Sequence, residues 1–171
     1  MSNSGNQHIL EKMQIVPCIV PVNLATGANT GDWVSLKNYK RCAVVFVKGA
    51  GTGGQDPTLT FLQATTVAGA GSKNLTSVTR GDRKAATALT SVGTFTTVTQ
   101  AAANTFTATD GAAQALWVVD IKAEDLDIDG GFDCMQVNIA DPGTGTALGS
   151  VLYLLHDPRD VAVPLASAIV D

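Results

Sequence analysis

An all-β domain is what this sequence predicts, on three observations: short β-branched apolar runs, turn residues between them, and no long amphipathic helical period. Runs such as Ile15-Val16-Pro17-Cys18-Ile19-Val20, Cys42-Ala43-Val44-Val45-Phe46-Val47 and Leu116-Trp117-Val118-Val119 have strand composition. Stretches rich in Gly, Asn, Asp, Pro and Thr at 26–31, 49–54 and 141–145 separate such runs and favour turns. Seven to nine short strands of this kind point to a β-sandwich, jelly-roll-like, as a single domain over residues 1–171. A chain of 171 residues is long enough to bury a core without disulfide or metal support.

Taken in order, residues 1–12 lack a strong period and read as an N-terminal arm. The run at 15–22 contains Pro17 and Pro21, which cannot donate to a central ladder, so it belongs at a sheet edge, where another chain can pair with it. A short strand follows at 32–36. The segment 41–48 is apolar at nearly every position, the pattern of a strand covered on both faces and the best candidate for the centre of the core. The glycine-rich turn at 49–54 and the strand at 58–64 read as the second half of a hairpin. Between 65 and 102 Thr, Ala, Gly and Ser dominate; strands are expected near 75–78 and 94–99, with Arg80, Arg83 and Lys84 in a solvated loop. Further strands are expected at 104–109, 116–121, 132–139 and 151–155, with one helical turn at 123–126. Residues 157–171 are apolar but broken by Pro164, and read as an extended C-terminal arm.

Composition bounds the function. Apolar residues make up 45% of the chain and charged ones 15%, too apolar for disorder and too sparsely charged for an ordinary soluble surface. Part of the surface is therefore expected to be covered by a partner. A net charge of −4 with scattered basic residues argues against nucleic acid, whose binding needs clustered Lys and Arg. Cys18, Cys42 and Cys134 are odd in number and far apart, which suits buried thiols in a reducing compartment. No signal-peptide pattern or apolar run of bilayer length is evident, so synthesis in the cytoplasm without membrane insertion is expected.

Four patterns that could carry chemistry have simpler explanations. Gly49-Ala50-Gly51-Thr52-Gly53-Gly54 fits Gly-x-Gly-x-x-Gly, but Asp56-Pro57 leads into a strand where a dinucleotide site needs a helix N-terminus, so a flexible hairpin tip is expected. Asp125-Leu126-Asp127-Ile128-Asp129-Gly130 matches the first half of a calcium loop, yet Gln136 occupies the position of the bidentate carboxylate; a solvated acidic connection is expected. His8 and His156 are too far apart in sequence to suggest a zinc pair or a catalytic relay, and no nucleophile elbow is present. Trp33, Tyr39, Trp117 and Tyr153 lie in or beside apolar strands, which favours core packing over a sugar-stacking platform. A non-enzymatic protein without cofactors or metal is the reading these residues support.

Several segments have a familiar wording: Gly31-Asp32-Trp33-Val34-Ser35-Leu36-Lys37-Asn38-Tyr39, the strand at 43–48, Leu59-Thr60-Phe61-Leu62-Gln63-Ala64-Thr65, Asp125 through Cys134, and Ser150-Val151-Leu152-Tyr153-Leu154-Leu155. In order and wording, across residues 9–171, the chain resembles small structural proteins of tailed bacteriophages, foremost the capsid decoration, or cement, proteins. The resemblance implies a virion protein on the capsid exterior that binds the major capsid protein and copies of itself, as a dimer or trimer. A head-tail connector, a tail component and a glycan-binding module exposed on the virion are the alternatives. Candidate partner contacts are Ile9 and Leu10 in the N-terminal arm, Pro17 and Pro21 on the edge strand, and Val161, Val163, Leu165 and Ile169 in the C-terminal arm.

Overall fold

The computed structural model describes residues 8–86, 93–160 and 164–170; Val161 and Val163 lie outside the described residues. Among the described residues twelve strands run in chain order as β1 (Met13–Asn23), β2 (Asn29–Thr30), β3 (Val34–Ser35), β4 (Tyr39–Gly51), β5 (Thr58–Ala64), β6 (Lys73–Asn74), β7 (Val78–Ala86), β8 (Thr96–Ala103), β9 (Thr105–Thr107), β10 (Gln114–Lys122), β11 (Cys134–Ile139) and β12 (Ala147–Pro158). The described helical segments are single 3-10 turns at Ile9–Glu11, Leu24–Thr26 and Ala123–Asp125. The strands form two antiparallel sheets. The larger has the order β1-β12-β4-β10-β7-β8; the smaller has β2-β11-β5-β6, with β3 also on β11 and β9 on β5.

The pairing is nested along the chain: β1 with β12, β2 with β11, β4 with β10, and β5 with β9. A β-hairpin folded over twice produces this nesting, which is the wrapping of a jelly roll. Residues between β5 and β9 are an elaboration of that plan. There β7 and β8 form a hairpin that widens the larger sheet beyond β10.

Alternation decides which side chains enter the core. Cys42, Val44 and Phe46 of β4, Trp117, Val119 and Ile121 of β10, and Val151, Tyr153 and Leu155 of β12 face the smaller sheet, which contributes Leu59, Phe61, Met135, Val137 and Ile139. Phe106 meets Trp117 edge to face, with centroids 5.3 Å apart. Gly81 makes room for this pair, since a Cβ there would sit 2.7 Å from the Phe106 ring.

The smaller sheet leaves a gap between β2 and β3, and the gap is closed by polar side chains. The Val137 N–H donates to Tyr153 Oη at 2.7 Å, the Cys18 thiol donates to the Val137 carbonyl at 3.5 Å, and Gln136 Nε2 donates to the Gly31 carbonyl at 2.6 Å. Each buried backbone group that lacks a strand partner here finds a side chain instead. In β1 a register shift between Pro17 and Ile19 turns both Cys18 and Ile19 inward, which strict alternation forbids.

Three expectations are corrected. The strands on either side of the glycine-rich segment are not a hairpin: β4 pairs with β12 and β10, while β5 lies in the opposite sheet, so the segment crosses between sheets. Arg80, Arg83 and Lys84 sit within β7 and not in a loop. Finally, β4 is central but covered on one face alone. Ala43 and Val45 on its other face are partly open, and Val47 is exposed.

Candidate interaction surfaces

The outer face of the larger sheet can be read row by row from the strand register. One row runs Ile15, Leu154, Ala43, Asp120 across β1, β12, β4 and β10. The next runs Pro17, Leu152, Val45, Val118 and continues to Asp82 and Thr97 on β7 and β8. A third runs Ser150, Val47, Leu116, Lys84. Four strands about 4.8 Å apart and five residues at about 3.4 Å each make a field of roughly 300–350 Å² in plan. All of its apolar members are at least partly open to solvent, with Ile15 46% and Val47 41% exposed. The plan area takes in Asp120 and Ser150 beside the apolar members, and contiguous exposed apolar surface of this kind is often functional on a soluble monomer.

Charge is placed at the margins of this field and is paired within the chain. Arg41 bonds Asp120, Arg80 Nη2 lies 3.0 Å from Asp82, and Lys122 Nζ lies 3.1 Å from Glu124. Clefts of about 410 Å³ flank Arg41, one lined by Lys40, Glu124, Asp157 and Arg159, the other by Arg80, Asp82, Asp120 and Asp125. His156 stands between Asp120 and Asp157, at 3.6 and 3.5 Å. His8 instead caps the first 3-10 turn through Nδ1, 3.4 Å from the Leu10 N–H.

The predicted contact residues fall into different environments. Ile9 and Leu10 are exposed on the first 3-10 turn. Pro17 and Pro21 are exposed on β1, which is an edge strand, and Val20 between them is 66% exposed. The described part of the C-terminal arm folds back on its own domain: Leu165 and Ala168 are buried, Gln14 bonds the backbone of both, and Tyr39 Oη donates to the Ala166 carbonyl at 2.5 Å. The Ser35 N–H donates to the Ala168 carbonyl at 2.7 Å. Ile169 and Val170 remain exposed beyond this anchor. Sequence reasoning did not single out Val45, Val47, Leu116, Val118, Leu152 and Leu154, although the continuous apolar runs of β4, β10 and β12 carried the signal.

The remaining motifs serve local structure. Lys48, just before the glycine-rich segment, is 2% exposed, and its three N–H groups are shared among four carbonyls at 2.7–3.0 Å, that of Gly49 and those of Asp110, Gly111 and Ala113 in the 110–113 turn. Gly51 lies against this cluster: a Cβ there would be 2.7 Å from the Thr146 carbonyl and 2.9 Å from that of Gly111. The segment is thus a crossing between sheets, tightly packed at Gly51 and exposed at 52–54, and not a hairpin tip. In the acidic stretch, Asp125 accepts from the Lys122 N–H at 3.0 Å, and Asp127 accepts from Gly130 and pairs with Lys73. Among the described residues no cluster of three or more His, Cys, Asp or Glu side chains could hold a metal ion. Tyr39, Trp117 and Tyr153 are buried, while Trp33 is half-buried against Gly69.

No protein-family model, curated protein or solved structure matches the chain.

Proposed function

We propose that this chain is a virion structural protein of a tailed bacteriophage, a capsid decoration protein that binds the outside of the head and ties neighbouring major capsid proteins together. The observation that carries the protein-binding part is the mismatch in β4. Its sequence is apolar on both faces, whereas the fold covers only the face that bears Cys42, Val44 and Phe46. The same mismatch recurs in β10 at Leu116 and Val118 and in β12 at Leu152 and Leu154. Such residues gain little by facing water, and burying them against a partner stabilises at about 25 cal/mol per Å² of apolar area before the costs of association.

The capsid as partner rests on the resemblance of residues 9–171 to small phage structural proteins. A paired-charge margin around an apolar field suits a neutral protein surface better than a polyanion. Repeated copies on an icosahedral shell would then convert modest individual contacts into firm attachment.

The test is addition of purified protein to empty mature heads that lack it. Stoichiometric pelleting with the heads, together with raised resistance of those heads to heat and chelation, is the expected result. Protein that stays in the supernatant and leaves head stability unchanged rules the capsid role out.

A further inference from the structure

The two ends of the larger sheet differ in kind. At one end β1 carries Pro17 and Pro21 and two register shifts, devices that discourage pairing by removing N–H donors and bending the edge. At the other end β8, Thr96-Thr97-Val98-Thr99-Gln100-Ala101-Ala102-Ala103, holds no charge, proline or glycine. Its ladder partner is β7, and among the described residues no backbone hydrogen bond satisfies its outer edge. Most of its residues are also exposed, and its inward-facing Val98 reaches the core only in part. The smaller sheet's terminal strands, β2 and β6, are two residues each and offer little to pair with. The register of β8 on β7 is regular over residues 96–99 and shifts between there and Ala103, so the regular part of this open edge is a short, uncharged run with strand-favouring Thr and Val.

We infer that β8 is the docking edge for a second copy of this chain, the two β8 strands pairing antiparallel about a two-fold axis perpendicular to the sheet. Charge decides for a second copy over a foreign strand. Of the charges nearest the edge, Arg80 pairs with Asp82 at 3.0 Å and Arg83 with Asp110 at 2.5 Å, Asp82 also accepts from Thr97 Oγ1 at 2.5 Å, and Lys84 lies over the Phe95 ring. The strand itself carries no charge, so its own side chains neither repel an identical edge nor call for a strand of opposite charge. Self-pairing also leaves neither copy with the open edge, a closure that an isologous interface achieves and a one-sided one does not. Thr side chains would face Thr and Ala across the seam, pairs compatible with a sheet. Because the axis is perpendicular to the sheet, the two outer apolar fields would lie on the same side of one continuous twelve-stranded sheet.

The inference does not depend on the capsid reading and is tested on the purified chain alone. Light scattering over a concentration series should give twice the 17.6 kDa chain mass, with dissociation on dilution. Adjacent strand residues point their N–H groups to opposite edges, so Val98→Pro and Thr99→Pro should differ. The one whose N–H faces away from β7 should be monomeric and melt where the diluted, dissociated unsubstituted chain melts; the other should mainly lose stability. Amide exchange in the unsubstituted chain reads the same edge without mutation, and protection at alternate β8 residues should grow with concentration. A monomer at every concentration, an oligomer that both proline variants retain, or β8 exchange independent of concentration overturns the inference.

Discussion

Lys48 illustrates how much of this fold depends on single polar side chains. Its ammonium is buried without a carboxylate in contact, and four backbone carbonyls hold it between β4 and the 110–113 turn. Burial pulls its pKa below the usual lysine value, while nearby Asp110 and Asp56 oppose the fall. Lys48→Met keeps the stem but leaves the carbonyls without a donor, and should cost about 2–4 kcal/mol in a denaturant titration. The thiols make a second case. Burial pushes Cys18 up to about 11 and Cys42 well above its ordinary value, and Cys134 is buried too. None of the three should react with a thiol reagent at mildly alkaline pH until the chain unfolds, when all three should.

Elements were legible where apolar composition alone decides them. The proline-bearing β1 at an edge, β4 at the centre, and β10, β11 and β12 all follow from runs of Val, Ile, Leu and Phe. The β7 strand was hidden because Arg80, Asp82, Arg83 and Lys84 look solvated in sequence. In the fold Arg80 and Asp82 pair with each other, Arg83 bonds Asp110 and lies over Trp117, and Lys84 stacks on Phe95. Nor could the glycine run at 49–54 reveal its direction, since a hairpin and a crossing between sheets ask for the same turn chemistry. The β7–β8 pairing carries a pH dependence of its own. Arg80 and Thr97 hold Asp82 below its usual carboxylate value, so its contribution is complete above about 3.8 and is lost as pH falls through the lower folded value. Amide protection of whichever of Thr97 and Val98 donates to β7, corrected for intrinsic exchange, should therefore fall selectively as pH drops below that window. Protection that stays constant there would show that the Asp82 contacts do not hold the hairpin.

At the scale of the whole molecule, the jelly-roll plan explains why contact surfaces and not a cleft are the prominent features. Nested pairing buries one face of each sheet against the other and leaves the outer face of the larger sheet to whatever the chain meets. The expected contacts at Ile9, Leu10 and Ile169 sit at the chain's ends, and Leu165 is spent on anchoring the arm to its own domain. What sequence reasoning lacked was the sheet order. Without it, the apolar runs of β4, β10 and β12 could not be assembled into one field, because each run alone looks like ordinary core.

The most direct measurement is pelleting with empty mature heads, comparing the unsubstituted chain with Val45→Lys and Val118→Lys. Both side chains lie on the outer face, so stability should change by no more than about 0.5–1 kcal/mol. The account predicts that the unsubstituted chain co-pellets and that each variant, still folded, remains in the supernatant. Variants that pellet as well as the unsubstituted chain would contradict the assignment of the outer face as the binding surface, and failure of all three would contradict the capsid itself as the partner.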